Sequence, residues 1–395
     1  MKKEDATMMD LEEFELRKFV APEFVFGIDA RKLAGRYAKN FGARKLLVVT
    51  DPGVVKAGWA DEVIASLRDE ALECVVYAAV TCNPKITEVE AGAELYRREG
   101  CNAIVAVGGG SPIDCAKGIG IACSSRKSVL EFEGVDKVDL PGPPLICIPT
   151  TAGSSADVSQ FAIISDRQRR VKFAIISKML VPDVALIDPV TTVTMDAELT
   201  AYTGMDALCH AIEAFASTAH APITDLHALQ AIRLVAAYLL PTIERPKEMA
   251  LRGAMMLASL EAGLAFSNAS LGAVHAMAHS VGGLLDSPHG ECNAILLPQV
   301  VAYNFAAAPE RYLAIATALG LEVDAAAPAA ACRALEAELT RLARAAGIVR
   351  TLGELGVGRG EIPQLAEQAM NDACIFTNPR QPRREDLEAI YGKVI

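Results

Sequence analysis

Aromatic residues make up only 5% of this 395-residue chain and include a single tryptophan. No Lys/Arg-rich run is present, and 38 basic against 49 acidic residues leave a net charge of −11. That balance argues against a nucleic-acid or anionic-membrane surface, since both need clustered positive charge. Missing too is an uninterrupted apolar run of roughly 18 residues, the span a membrane helix needs, so no transmembrane helix is expected. Residues 1–19 are too charged and too acidic for a signal or transit peptide, and the first 20 residues are expected to be partly flexible. The chain reads as soluble and cytoplasmic. None of its ten cysteines forms a C-x-x-C pair, which removes a zinc ribbon or thioredoxin-type motif. Without an export signal they read as reduced thiols packed as small apolar side chains.

What is present falls into two textures, in a chain long enough for a large core and two domains. From about residue 44 to 189, short β-branched runs alternate with helical patterns: KLLVVT (45–50), ECVVYAAV (73–80), AIVAV (103–107), PLICIP (144–149) and DVALID (183–188). Continuous apolar strands separated by helices predict a parallel sheet covered on both faces. FAIIS (161–165) and VKFAIIS (171–177), joined by the charged run 166–170, predict an inserted hairpin. After Pro189 the sequence turns Ala/Leu-rich with i, i+3, i+4 apolar spacing, which predicts an all-helical second domain. The expected division is an α/β domain at 1–189 and an all-α domain at 190–395.

The strongest motif of the first half is Gly108-Gly109-Gly110-Ser111-Pro112-Ile113-Asp114, directly after a strand. Glycines permit close approach of a ligand to the backbone. Ser111 is expected as an N-cap, Pro112 as the first helical residue and Asp114 as the acid of a capping box. Such a helix start presents N–H groups and a positive dipole end to an anion, a pyrophosphate by preference. Neither the G-x-G-x-x-G fingerprint nor a P-loop is matched. Asp51 ends the first strand, where a carboxylate can accept ribose hydroxyls and repel a 2′-phosphate; Asp-Pro-Gly is equally an ordinary turn. The hydroxyl-rich stretch Thr150-Thr151-Ala152-Gly153-Ser154-Ser155 ends another strand and could line the same crevice, and no G-x-S-x-G elbow supports a serine nucleophile there.

All six histidines lie between residues 210 and 289. Asp206 and His210 are i, i+4 on one helix, His275 and His279 repeat that spacing on a second, and His289 follows on a loop. Imidazoles with one carboxylate suit a divalent transition metal, and spacing alone leaves open whether His275, His279 or both are ligands. His220 and His227 read as ordinary structural histidines. No Lys or Arg occurs from Gly253 to Glu310, so the site looks suited to a small uncharged molecule rather than a phosphate or carboxylate.

These residues resemble the iron-containing (group III) alcohol dehydrogenases over nearly the whole chain. The likeness rests on GGGSPIDCAK (108–117), PTTAGSS (149–155), VPDVALIDP (181–189), TAYTGMDALCHAIEAF (200–215), HAMAHSVGGLLDSPHG (275–290) and TNPRQP (377–382). Within the family it is most similar to the ErcA-like members. The resemblance implies a dinucleotide-binding first domain and a metal-binding, catalytic second domain, in the architecture shared with dehydroquinate synthase. It implies Asp206, His210, His275 and His289 as ligands of Fe²⁺, or of Zn²⁺, with His279 beside the ion as a proton relay. Asp51 becomes the ribose-binding acid and Gly109, Gly110, Ser111 and Asp114 the pyrophosphate loop. Thr150, Thr151, Ser154 and Lys172 become further NAD contacts, and Phe266 and Cys374 substrate-pocket walls. The activity implied is hydride exchange between a small primary alcohol or aldehyde and NAD in preference to NADP, by a homodimer or larger homo-oligomer. Two alternatives stand beside it: a polyol-phosphate dehydrogenase on the same fold, and a non-catalytic NAD- and metal-binding regulatory protein. One departure is visible: the family usually reads T-T-A-G-T-G-S-E where this chain has Ser155 in place of the second glycine.

Overall fold

The structure, a computed structural model, describes residues 16–395. The flexibility expected of the first 20 residues falls, for 1–15, outside the described residues; Val20 is tied down by the side chain of Asn268, which accepts from its N–H and donates to its carbonyl. The described residues form nine strands: β1 (Glu23–Phe26), β2 (Lys45–Val49), β3 (Glu73–Tyr77), β4 (Ala103–Gly108), β5 (Gly134–Val135), β6 (Leu145–Pro149), β7 (Phe161–Asp166), β8 (Val171–Ile176) and β9 (Val184–Ile187). Six of them form one parallel sheet in the order β1-β9-β6-β4-β2-β3. Strands β4, β6 and β9 are buried at every position, as both faces of a helix-covered sheet require. The edge strand β1 escaped the sequence reading because it is four residues long and mostly exposed, its apolar run only Phe24-Val25-Phe26. The expected hairpin is present as antiparallel β7 and β8, extended by the short β5.

Beyond Ile187 the described residues form no further strand, and the long elements from Ala197 onward are helices around one large apolar cluster. Two of them, Pro222–Glu244 and Met249–Ala269, are long and apolar enough to cross a membrane by length and composition. They pack on each other and on the Ala197–Ala216 helix, which accounts for their apolar faces within a helical core. Interrupting polar residues such as Arg233 and Glu261 kept them below the uninterrupted-run criterion.

Backbones come unusually close at two places around the Ala197–Ala216 helix. A Cβ on Gly153, in the loop after β6, would sit 2.4 Å from the carbonyl oxygen of Thr203 on the Ala197–Ala216 helix. A Cβ on Gly290 would lie 2.1 Å from the carbonyl oxygen of Tyr202 on that same helix. Only glycine allows both approaches. The first holds the loop after β6 against the helix that carries His210, and the second, within the helical half, sets the start of the His289–Asn304 helix against that same helix.

Candidate active site

A cleft of about 750 Å³ runs between the halves, from Asp51 and the glycine loop at one end to the histidines at the other. The helix after β4 begins at Gly110 with Gly109 as its N-cap, so Ser111 and Pro112 lie inside the first turn. This corrects the expected capping: Ser111 Oγ instead accepts from the N–H of Asn83 at 3.2 Å. Asp114 caps nothing either. One of its oxygens accepts the N–H of Ile163 on β7 at 3.1 Å, while the other, Oδ1, is buried without a partner. The hairpin wins that carboxylate because the helix start lies two residues earlier than a Ser111 cap would require. Burial raises the pKa of Asp114 to about 6. A Cβ on Gly108 would meet Pro112 at 2.5 Å, and one on Gly110 would meet Ser154 at 2.9 Å, so the loop has room only for bare backbone.

Asp51 caps the Pro52–Ala57 helix, its Oδ1 accepting from Val54 N–H at 3.0 Å, so the turn reading holds at that position. It also lines the cleft beside Gly108. Thr150, Thr151 and Ser154 line the cleft as well, Thr151 and Ser154 packing against Gly109 and Gly110. Ser155, in place of the family's second glycine, still adopts the left-handed φ of 50°. Its hydroxyl is bonded to the carbonyl of Ser259 at 2.6 Å, which offsets the strain of a side chain in that conformation. Lys172 is the single Lys or Arg among the described cleft-lining residues, and its Nζ donates to Asn83 Oδ1 at 2.7 Å.

At the other end, one ligand atom from each of Asp206, His210 and His275 lies within 4.8 Å of the others. His289 joins them, its Nε2 lying 3.8 Å from Asp206 Oδ1, against 4.0 Å for His210 and 3.7 Å for His275. Each of two rings is aimed by a bond at its far side. His210 Nδ1 faces the Gly153 carbonyl at 3.2 Å, and His275 Nδ1 faces the Glu213 carboxylate at 2.5 Å. Both therefore turn Nε2 toward Asp206. Burial opposes the charged form of Asp206, but the surrounding imidazoles outweigh it and hold its pKa well below the usual range. Burial likewise opposes the imidazolium of His275, yet its bonds to Asp206 and Glu213 raise it to about 9. Two buried carboxylates thus demand positive charge at this spot, while burial pushes His210 down to about 4 and leaves it a neutral donor.

His279 stands apart from the cage. Its Nδ1 faces Asp372 Oδ2 at 2.8 Å, and its ring stacks on His289 with centroids 5.2 Å apart. The alternatives left open by the i, i+4 spacing thus separate: His275 faces Asp206, and His279 faces Asp372. Phe266 stacks on His210 at 4.3 Å and lines the cleft. Cys374 does not. It is fully buried and absent from the cleft wall, because Asp372 Oδ1 accepts the Cys374 N–H and turns that segment in behind His279. Its expected place as a pocket wall is corrected accordingly. His220 and His227 pair with Asp225 and Glu261, away from the cleft.

Comparison with known proteins matches residues 21–189 to the model of iron-containing alcohol dehydrogenase and residues 200–395 to that of the Fe-containing alcohol dehydrogenase family, C-terminal. The chain belongs to the iron-containing alcohol dehydrogenase family. Among its relatives is the 1,3-propanediol dehydrogenase of Klebsiella pneumoniae, 41% identical over 93% of this chain and 95% of that protein. Another is the NAD-dependent methanol dehydrogenase of Bacillus methanolicus, 37% identical over 95% of this chain and 99% of that one. The crystal structure of a 1,3-propanediol oxidoreductase superposes with a TM-score of 0.93 at 40% identity, covering 96% of this chain and all of the other.

The donor set here fits the ion for which this alcohol dehydrogenase family is named: three imidazoles and a carboxylate, the chemistry preferred by Fe²⁺ and Zn²⁺. A dinucleotide fits as well, since the loop that a Cβ would crowd presents a helix start to the cleft. Sequence reasoning passed over Glu213 and Asp372. Glu213 was within reach, continuing the Asp206–His210 stripe by three residues. Nothing local marks Asp372, which is brought in from 93 residues away.

Proposed function

We infer that this iron-containing alcohol dehydrogenase exchanges hydride between NAD and a small, uncharged primary alcohol or the corresponding aldehyde, in the cleft between a dinucleotide-binding domain (1–189) and a metal-binding helical domain (190–395). The convergence of Asp206, His210, His275 and His289 at the far end of a cleft that begins at a glycine loop carries this reading. Bound Fe²⁺, or Zn²⁺, supplies Lewis acidity that lowers the pKa of the alcohol.

The chain's own residues do the rest. The N–H groups of Gly109, Gly110 and Ser111 hold the pyrophosphate at the helix start. Asp51 takes the ribose hydroxyls and by its charge disfavours a 2′-phosphate, hence NAD over NADP. Asp114, through its free Oδ1, stands with that loop, and Thr150, Thr151, Ser154 and Lys172 supply further NAD contacts along the cleft. Phe266 supplies an apolar wall beside His210. Asp372 fixes the proton of His279 on Nδ1, so that Nε2 is the atom free to pass a proton toward solvent.

Lys172 is the single Lys or Arg among the described cleft-lining residues, and it is already engaged with Asn83, which disfavours the polyol-phosphate alternative. The propanediol and methanol dehydrogenases among the relatives, by their names, act on substrates of the proposed size. A cytoplasmic homodimer or larger homo-oligomer completes the reading, and sedimentation of the purified protein tests the assembly. The role of His279 is tested by His279→Ala. Turnover is expected to fall while metal content stays at the wild-type level, and loss of the metal would make His279 a ligand instead.

A further inference from the structure

The helix that carries His275 and His279 (Ala273–Leu285) is capped at its C-terminus by Asp286, whose backbone is left-handed at φ 56°. Nothing in the chemistry described so far uses this carboxylate, yet it reaches the other half of the molecule. Its Oδ1 accepts from Asn83 Nδ2 at 2.7 Å, while its Oδ2 lies 3.4 Å from Lys85 Nζ and 3.8 Å from an exposed Arg167 guanidinium. Asn83 and Lys85 belong to the segment after β3, of which residues 79–84 wall the cleft. These contacts differ in weight. Asp286 is half exposed, so its longer ion pairs contribute little. The bond to Asn83 is short, partly buried and made to a charged acceptor.

Asn83 is itself buried and engaged on every side. Its N–H donates to Ser111 Oγ at 3.2 Å, and its Oδ1 accepts from Lys172 Nζ at 2.7 Å. An ammonium can only donate and a carboxylate only accept, so Lys172 and Asp286 together fix which way the amide points. Lys172 Nζ has no other acceptor among the described residues, which leaves two of its three hydrogens for a ligand in the cleft. The lysine lies against the last turn of the same helix, where a Cβ on Gly282 would come within 2.7 Å of its nitrogen. A run of direct bonds thus leads from the end of the histidine helix, through Asn83, to two of the groups assigned to the dinucleotide.

We propose that Asp286 is a positioning residue for the dinucleotide: from the metal-binding half it orients Asn83, and through it Lys172 and the Ser111 hydroxyl, so that tight NAD binding requires the two halves to be closed on each other. Without the carboxylate the amide loses one of its two constraints, and Lys172 its fixed acceptor. The proposal rests on the cleft holding NAD.

The test uses the full-length, metal-loaded protein and NADH, with binding read by nicotinamide fluorescence. Asp286→Gly removes the carboxylate, while glycine keeps the left-handed helix end without strain. Its Kd for NADH is expected to rise about 10-fold, the scale of losing one hydrogen bond to a charged group. KM for NAD should rise with it, whereas kcat at saturating NAD, metal content and the unfolding midpoint stay at the wild-type level. Asp286→Asn, which keeps an acceptor for the Asn83 amide, is expected to recover most of the affinity. A second pair of variants reads the Asn83 link directly. Asn83→Asp sets two carboxylates against each other and should weaken NADH binding at least as much. Adding Asp286→Asn puts one amide and one carboxylate across the same gap again, and should restore most of the loss. This pair decides the matter if the glycine variant fails to fold. Unchanged NADH affinity in Asp286→Gly, or no recovery in the swapped pair, overturns the proposal. So does a joint fall of kcat, metal content and unfolding midpoint, the pattern of a merely structural role. A wild type that binds metal but no NADH would instead overturn the NAD reading on which the proposal stands.

Discussion

Glu213→Gln should uncouple metal affinity from fold. Glu213 is buried and accepts three N–H groups: Val274 N at 2.7 Å, His275 N at 3.4 Å and His275 Nδ1 at 2.5 Å. Glutamine matches it in size, and its single carbonyl oxygen can still take the Val274 N–H that starts the Ala273–Leu285 helix. What it cannot do is accept from His275 Nδ1 as well. Its NH₂ then faces the ring, favouring the tautomer with the proton on Nε2, which has no lone pair for a metal. Loss of such a carboxylate behind a ligating histidine typically costs 10–100-fold in metal affinity, or about 1.4–2.7 kcal/mol. The assay is chelator-competition titration of Fe²⁺ and Zn²⁺ with thermal unfolding of the metal-free protein alongside. Metal affinity within about twofold of wild type would refute the reasoning. An equally large loss of apo-protein stability would shift the role of Glu213 from the metal to the helix start.

Asp372→Asn should lower turnover with metal content unchanged, because His279 loses the charged acceptor that fixes its Nδ1 proton; equal loss of metal would show that the pair supports the cage instead. Burial raises Asp157 to about 6 from the ordinary 3.8, so between roughly pH 4 and pH 6 the native protein holds a proton that the unfolded chain has released. Its contribution to stability therefore falls as pH rises through that window. Asp157→Asn is expected to raise the unfolding midpoint relative to wild type at pH 8 but not at pH 4, and a constant difference across pH would contradict this. Gly290→Ala forces a Cβ to 2.1 Å from a backbone carbonyl that cannot move alone, so destabilisation at the upper end of the roughly 1–3 kcal/mol range for overpacking is expected in denaturant melts.

The buried strands were legible because both faces are covered, so residues such as those of β4 are apolar without interruption. Strand β1 was not, since an exposed four-residue edge leaves no such mark. Asp206, His210, His275 and His289 could be picked out because helical periodicity brings i and i+4 together and because the family motif is distinctive. Capping at Ser111 and Asp114 was misjudged for a local reason. The three glycines let the helix start two residues earlier, and the hairpin takes the acid that would have closed the box. Groups that stand behind the site are set by tertiary contact. Asp372 reaches His279 across 93 residues, and the same turn buries Cys374, which likeness to a motif had put on the wall.

Metal-stripped protein, reloaded anaerobically with Fe²⁺ or with Zn²⁺ and assayed for NADH formation on primary alcohols from ethanol to hexan-1-ol and on propane-1,3-diol, tests the central claim most directly. The account predicts no activity in the stripped protein, recovery with at least one of the two ions, and loss of that recovery in Asp206→Ala. Full activity without metal, or recovery that survives removal of Asp206, would contradict it.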